Sequence, residues 1–132
     1  MKITVDTNLL LRVILLDDLD QAHLAEEALS SASLVAIPLP CLCEVVWVLE
    51  RSYGISRAEI ALVVENLLNA PNVAINKAAV GAGLAMLKTG GDFADGVIAH
   101  EGRWLGGEMF VSFDKKAVAA IAKQGMKARL LA

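Results

Sequence analysis

The chain has 132 residues, 56% of them hydrophobic and 20% charged, with a net charge of −3 at pH 7 and a mean hydropathy of +0.56. That length gives one domain over residues 1–132, able to bury roughly two thirds of its unfolded surface. The negative balance argues against a broadly basic, non-specific nucleic-acid binder, which needs clustered Lys and Arg to neutralise phosphates. No apolar run approaches the ~20 residues of a membrane helix.

In chain order, residues 3–5 form a first short apolar run ending at Asp6, followed by helical periodicity over 9–16 and 21–32. Lys2, Asp6 and Arg12 stand too close together to leave room for the apolar stretch of a signal peptide, so a cytoplasmic location is expected. A second strand-like run covers 34–37. The apolar stretch it begins carries Pro38 and Pro40 and then meets Glu44, which suits a helix over 40–52 rather than a membrane span. Gly54 marks the end of that helix. Ser56 with Glu59 has the spacing of a capping box opening a helix over 57–69, and Pro71 follows it. Residues 73–75 form a third run, then helices are expected over 77–88 and 93–102, a fourth run over 109–112, a helix over 115–123 and a last run over 128–131. Strands alternating with helices predict an α/β protein with a central parallel sheet covered by helices.

Four acids interrupt this apolar pattern: Asp6 after the first run, Glu44 between Leu42 and Val45, Asp95 after Phe93-Ala94, and Asp114 after the fourth run. Asp6 and Asp114 fall at the carboxyl ends of strands, where the crevice of an open parallel sheet lies. Asp92 and Asp95 are three apart at a helix start, on one face and near the positive end of the helix. Unpaired carboxylates in apolar surroundings ask for a counter-charge. An all-oxygen site suits Mg²⁺ or Mn²⁺ rather than Zn²⁺, and such ions serve phosphodiester hydrolysis. Zinc has little support, since Cys41 and Cys43 are two apart in a helix and only His23 and His100 are available; the thiols read as buried and reduced.

Each acid has a plainer reading. Asp6 and Asp114 suit helix caps, and Asp92 or Asp95 suits a partner for the helix dipole. Glu44 has the weakest such alternative, with no basic residue within a turn. Trp47 and Trp104 suit nucleobase stacking but in so apolar a chain read first as core or interface. Arg12, Arg51, Arg103, Lys115 and Lys116 are candidates for phosphate contact, although no basic stripe emerges.

Asp6-Thr7-Asn8 after a first strand, a lone Glu44 in an apolar helix, Asp92-Phe93-Ala94-Asp95-Gly96 opening a late helix and Ser112-Phe113-Asp114 after a late strand together resemble the PIN-domain ribonucleases. Among these, the short single-domain form resembles the VapC toxins of toxin–antitoxin pairs. The resemblance covers nearly the whole chain. It implies a three-layer α/β/α sandwich, a Mg²⁺- or Mn²⁺-dependent endoribonuclease acting on RNA, a homodimer, and a small VapB-like antitoxin that blocks the site. Carried over, Asp6, Glu44, Asp95 and Asp114 are the acidic quartet, with Asp6 and Asp95 as direct metal ligands and Asp92 as an auxiliary acid. Thr7, Asn8 and Ser112 would orient them. Gly96 stands where the family commonly has alanine, which would loosen that helix.

Two other classes compete. A receiver-like signalling module also places acids at strand ends, but it wants paired acids after the first strand, where this chain has Asp6 followed by Thr7 and Asn8. A catalytically silent PIN-like scaffold would have no use for all four acids. The surplus apolar surface is expected to serve partners, with residues 9–16, 24–29 and 60–68 offering stripes for an amphipathic antitoxin helix.

Overall fold

A computed structural model describes residues 1–131 of the chain. They fall into two compact units, Met1–Asn76 and the residues from Lys77 onward.

The first unit runs β1 (Lys2–Thr4), α1 (Thr7–Leu15), α2 (Leu19–Ser31), β2 (Leu34–Ala36), α3 (Leu39–Arg51), α4 (Arg57–Asn69) and β3 (Val73–Ala74). The strands form one parallel sheet in the order β1-β2-β3, with Ile3 opposite Val35 and Ala36 opposite Ala74. Val5 and Ile37 extend it by one bond each, donating to the carbonyls of Ala36 and Ala74. A parallel neighbour cannot be reached by a tight turn, and here a pair of helices fills each crossover. Alternating side chains send Val5, Val35 and Ile37 inward, where they are buried with Leu10, Leu42, Val45, Leu49, Ile60 and Val64. Ser56 caps α4 by accepting from the Glu59 N–H at 3.2 Å, as the capping-box spacing predicts. Gly54 takes the left-handed conformation (φ 61°) that lets the chain leave α3. Asn72 donates to the carbonyls of Leu29 and Ala32 and so satisfies the otherwise open end of α2.

The second unit runs α5 (Lys77–Lys88), α6 (Phe93–Trp104), β4 (Phe110–Ser112), α7 (Lys115–Lys123) and β5 (Ala128–Leu130), with β4 and β5 paired in parallel. Its core gathers Met86, Ala99 and Ile121, with Phe110, Met126 and Ala128 packed against them. Helices α5 and α6 approach closely because glycine stands at both faces. A β-carbon built on Gly96 would lie 2.5 Å from the Ala82 carbonyl oxygen, and one on Gly83 would lie 2.7 Å from the Phe93 ring. Gly96 is therefore where the two helices touch, and the loosening expected from its lack of a side chain is replaced by a close contact that only glycine permits.

The α/β class and the parallel pairing expected from the sequence are both present, with element bounds within about two residues of those expected. Among the described residues no helix is long and apolar enough to cross a membrane.

Candidate active site

Three of the predicted acids are helix N-caps. Asp6, just past β1, accepts from the Leu9 N–H at 2.9 Å and opens α1. Asp92 accepts from the Asp95 N–H at 3.2 Å and opens α6. Asp114, just past β4, accepts from Lys116 and Ala117 at 3.0 and 3.1 Å and opens α7. The capping reading and the site reading are thus compatible: each cap uses one carboxylate oxygen and fixes where the other projects. Ser112 reinforces the last of them, its hydroxyl accepting the Asp114 N–H at 2.9 Å.

In the first unit, the charges of Asp6 and Glu44 are both felt at one thiol, Cys41. Burial pushes the Cys41 thiol above its ordinary pKa; a hydrogen bond with Thr7 pulls it down, and the negative charges of Asp6 and Glu44 push it up again. Cys41 lies one turn before Glu44 on α3, so this neighbour was legible in the i, i+3 spacing although the sequence reading gave it no role. A thiol held protonated among carboxylates is a poor soft ligand, which leaves oxygen as the donor type here. Cys41 is buried and Cys43 half-buried, and neither forms a disulfide among the described residues. Thr7 is half-buried, and Asn8 is exposed at the mouth of a groove between α1 and α2.

In the second unit, Asp95 is half-buried one turn into α6, and its carboxyl is raised above 3.8 by burial first, then by the charges of Asp92 and Asp114. Three carboxylates therefore share one field. The sequence argument placed the acids in apolar surroundings, but among the described residues no charged side chain is buried. Asp6, Glu44, Asp92 and Asp114 are exposed. For the three caps the reason is local: a cap sits at a helix mouth, where amide N–H groups and water solvate the charge.

The raised carboxyl has a sign. In the unfolded chain Asp95 ionises at its ordinary value, whereas folding holds it to a higher one, so the ionised form destabilises the fold above the folded pKa. That penalty is relieved as pH falls through the folded value toward 3.8. Asp95→Asn is accordingly expected to raise the melting temperature of chelator-treated protein at pH 7 to 8, with the gain fading on acidification. Melts that shift equally at every pH would discard the electrostatic account.

Parallel strands whose carboxyl ends carry capped acids define an α/β protein of the acidic-site type. A family model for the PIN domain matches residues 3–124, across both units, and the chain belongs to the PIN-domain family. No curated protein and no solved structure matches it. PIN domains are generally nucleases, and those nucleases typically use divalent metal ions. The donor chemistry of the acids fits such an ion: they are hard carboxylate oxygens, and Asp95 carries a charge penalty that a cation relieves. Among the described residues no three His, Cys, Asp or Glu side chains form a ligand cluster.

Proposed function

We propose that the chain is a Mg²⁺- or Mn²⁺-dependent endoribonuclease that hydrolyses RNA phosphodiester bonds in the cytoplasm, acting as one PIN domain over residues 1–132. The observation that carries this is the half-buried Asp95 in the first turn of α6, behind the Asp92 cap, in a chain of a nuclease family; burial and the charges of Asp92 and Asp114 raise its carboxyl. Asp6 and Asp95 would hold the ion, with Glu44 and Asp114 completing the acidic quartet. When bound, the ion supplies positive charge against a phosphoryl oxygen and the developing charge on phosphorus. The chain's own part is placement. Caps from Asp6 and Asp114 lock those carboxylates to helix ends, Ser112 fixes the turn that aims Asp114, and Asp92 holds the α6 amide from which Asp95 projects.

We further propose that it is the toxin of a toxin–antitoxin pair, working as a homodimer and silenced by a small VapB-like partner. A groove of about 280 Å³ between α1 and α2 supports this, with Leu9, Leu24, Ala25 and Ala28 lining it and Asn8 and Arg12 at its edge. Leu24 is 65% exposed and Leu19, at the start of α2, 73%. Apolar side chains left this open on a short domain suit the apolar face of an amphipathic helix.

The purified chain is expected to cleave RNA with Mg²⁺ or Mn²⁺, to stop on addition of EDTA, and to run as a dimer by light scattering. Co-expression with a neighbouring antitoxin gene should relieve growth arrest. Cleavage that survives exhaustive chelation would reject the metal-dependent mechanism. A monomer that no adjacent gene product binds would remove the toxin reading and leave the nuclease.

A further inference from the structure

The far end of α6 carries a second feature. The segment from residue 102 onward holds six of the chain's twelve Lys and Arg, with only Glu108 and Asp114 against them: a net charge of +4 in a chain of net −3. In the structure this charge has a built setting. Arg103, in the last turn of α6, and Lys127, just before β5, line one cavity of about 430 Å³ with Gly106, Gly107 and Glu108. Neither cation has a carboxylate within 4.0 Å among the described residues, whereas Arg12 and Arg57 do. Arg129 lies two residues beyond Lys127, a spacing that puts both on one face of β5. Beside the cavity, Trp104 is 86% exposed and Leu105 87%.

Unpaired cations lining a cavity with glycine backbone at its rim favour a phosphate, which can approach without meeting a side chain. An indole this exposed next to them has no packing role, and it offers a stacking face for any base. A partner's apolar face would use Trp104 and Leu105 but give Arg103, Lys127 and Arg129 no role. We propose that Arg103, Lys127 and Arg129, with Trp104, form a binding subsite for single-stranded RNA flanking the cleaved bond. The inference rests on the ribonuclease reading. Eight residues of helix rise separate Asp95 from Arg103, about 12 Å, so the subsite holds neighbouring nucleotides rather than the scissile phosphate. Its cations divide over α6 and β5, which is why no basic stripe shows in the sequence.

The test is binding of a fluorescein-labelled single-stranded RNA oligonucleotide to the whole chain in EDTA, followed by anisotropy at several salt concentrations. Arg103→Glu with Lys127→Glu should weaken binding by tenfold or more and flatten the salt slope by roughly two phosphate contacts. Trp104→Ala should weaken it about fivefold with the salt slope unchanged. With Mg²⁺ restored, both variants should raise KM and leave kcat near wild type. All three side chains are exposed, and an unchanged melting temperature checks the fold. Unaltered affinity in both variants, with wild-type RNA binding intact, overturns the subsite alone. A wild-type chain that binds no RNA overturns it together with the ribonuclease reading. Loss of dimer or antitoxin binding with RNA affinity unchanged shows a protein-contact surface and also overturns it.

Discussion

Asp95→Asn or Asp6→Asn is expected to lower RNA cleavage more than about a hundredfold, beyond the 10–100-fold that disturbing a mere partner of a metal ligand costs. Both variants should keep their circular dichroism spectrum. Asparagine is the informative replacement because it retains the shape of the side chain and, at position 6, the ability to accept the Leu9 N–H that opens α1. Asp6→Ala would remove charge and cap together and confuse catalysis with folding. Glu44 lies within α3 and caps nothing, so Glu44→Gln isolates the charge without that complication. Asp114→Asn preserves both of its cap bonds in principle and should also cripple the enzyme. Wild-type turnover in purified Asp95→Asn would remove Asp95 from the site.

Gly96→Ala is expected to destabilise the chain by about 1–3 kcal/mol, the usual cost of adding a methyl group to a closely packed contact. The reason lies in what the new carbon meets. At 2.5 Å it strikes the Ala82 carbonyl oxygen, part of the α5 backbone, which cannot swing aside as the Met86 side chain at 2.8 Å can. Intrinsic helix propensity pulls the other way by about 1 kcal/mol. The two effects are of similar size, and the backbone clash should win because relieving it means separating α5 from α6 along their shared face. Urea unfolding of the variant reads the balance, and a midpoint at or above that of the wild type would show that the helices part easily.

The order of strands and helices was legible because the local signals agree. Ser56 with Glu59, Gly54 and Pro71 mark the ends of α3 and α4, and β-branched runs such as Ile3–Thr4–Val5 have few other uses. The acids were legible as a set because each interrupts an apolar pattern. Their exposure was not. Asp6 and Asp114 read as intruders in greasy sequence, yet the backbone turns outward at each of them to begin a helix, and sequence neighbours do not reveal that. Gly96 was misjudged for a related reason: propensity is a property of one helix, while the need for glycine arises from a second helix, whose Ala82 lies fourteen residues earlier in the chain. The basic subsite escaped because Arg103 and Lys127 are brought to one cavity only by the path of the chain through β4, α7 and β5.

The caps set an order in time. A zinc finger must capture its ion before it can fold, because its ligands have no other occupation. Here Asp6, Asp92 and Asp114 are already engaged by the amides of their own helices, whose positive ends stabilise each carboxylate. Folding therefore does not wait on the cation. On the metal-dependent reading proposed above, each unit can fold with its capping carboxylates already held, before any ion is bound. Ion binding would then follow folding rather than drive it.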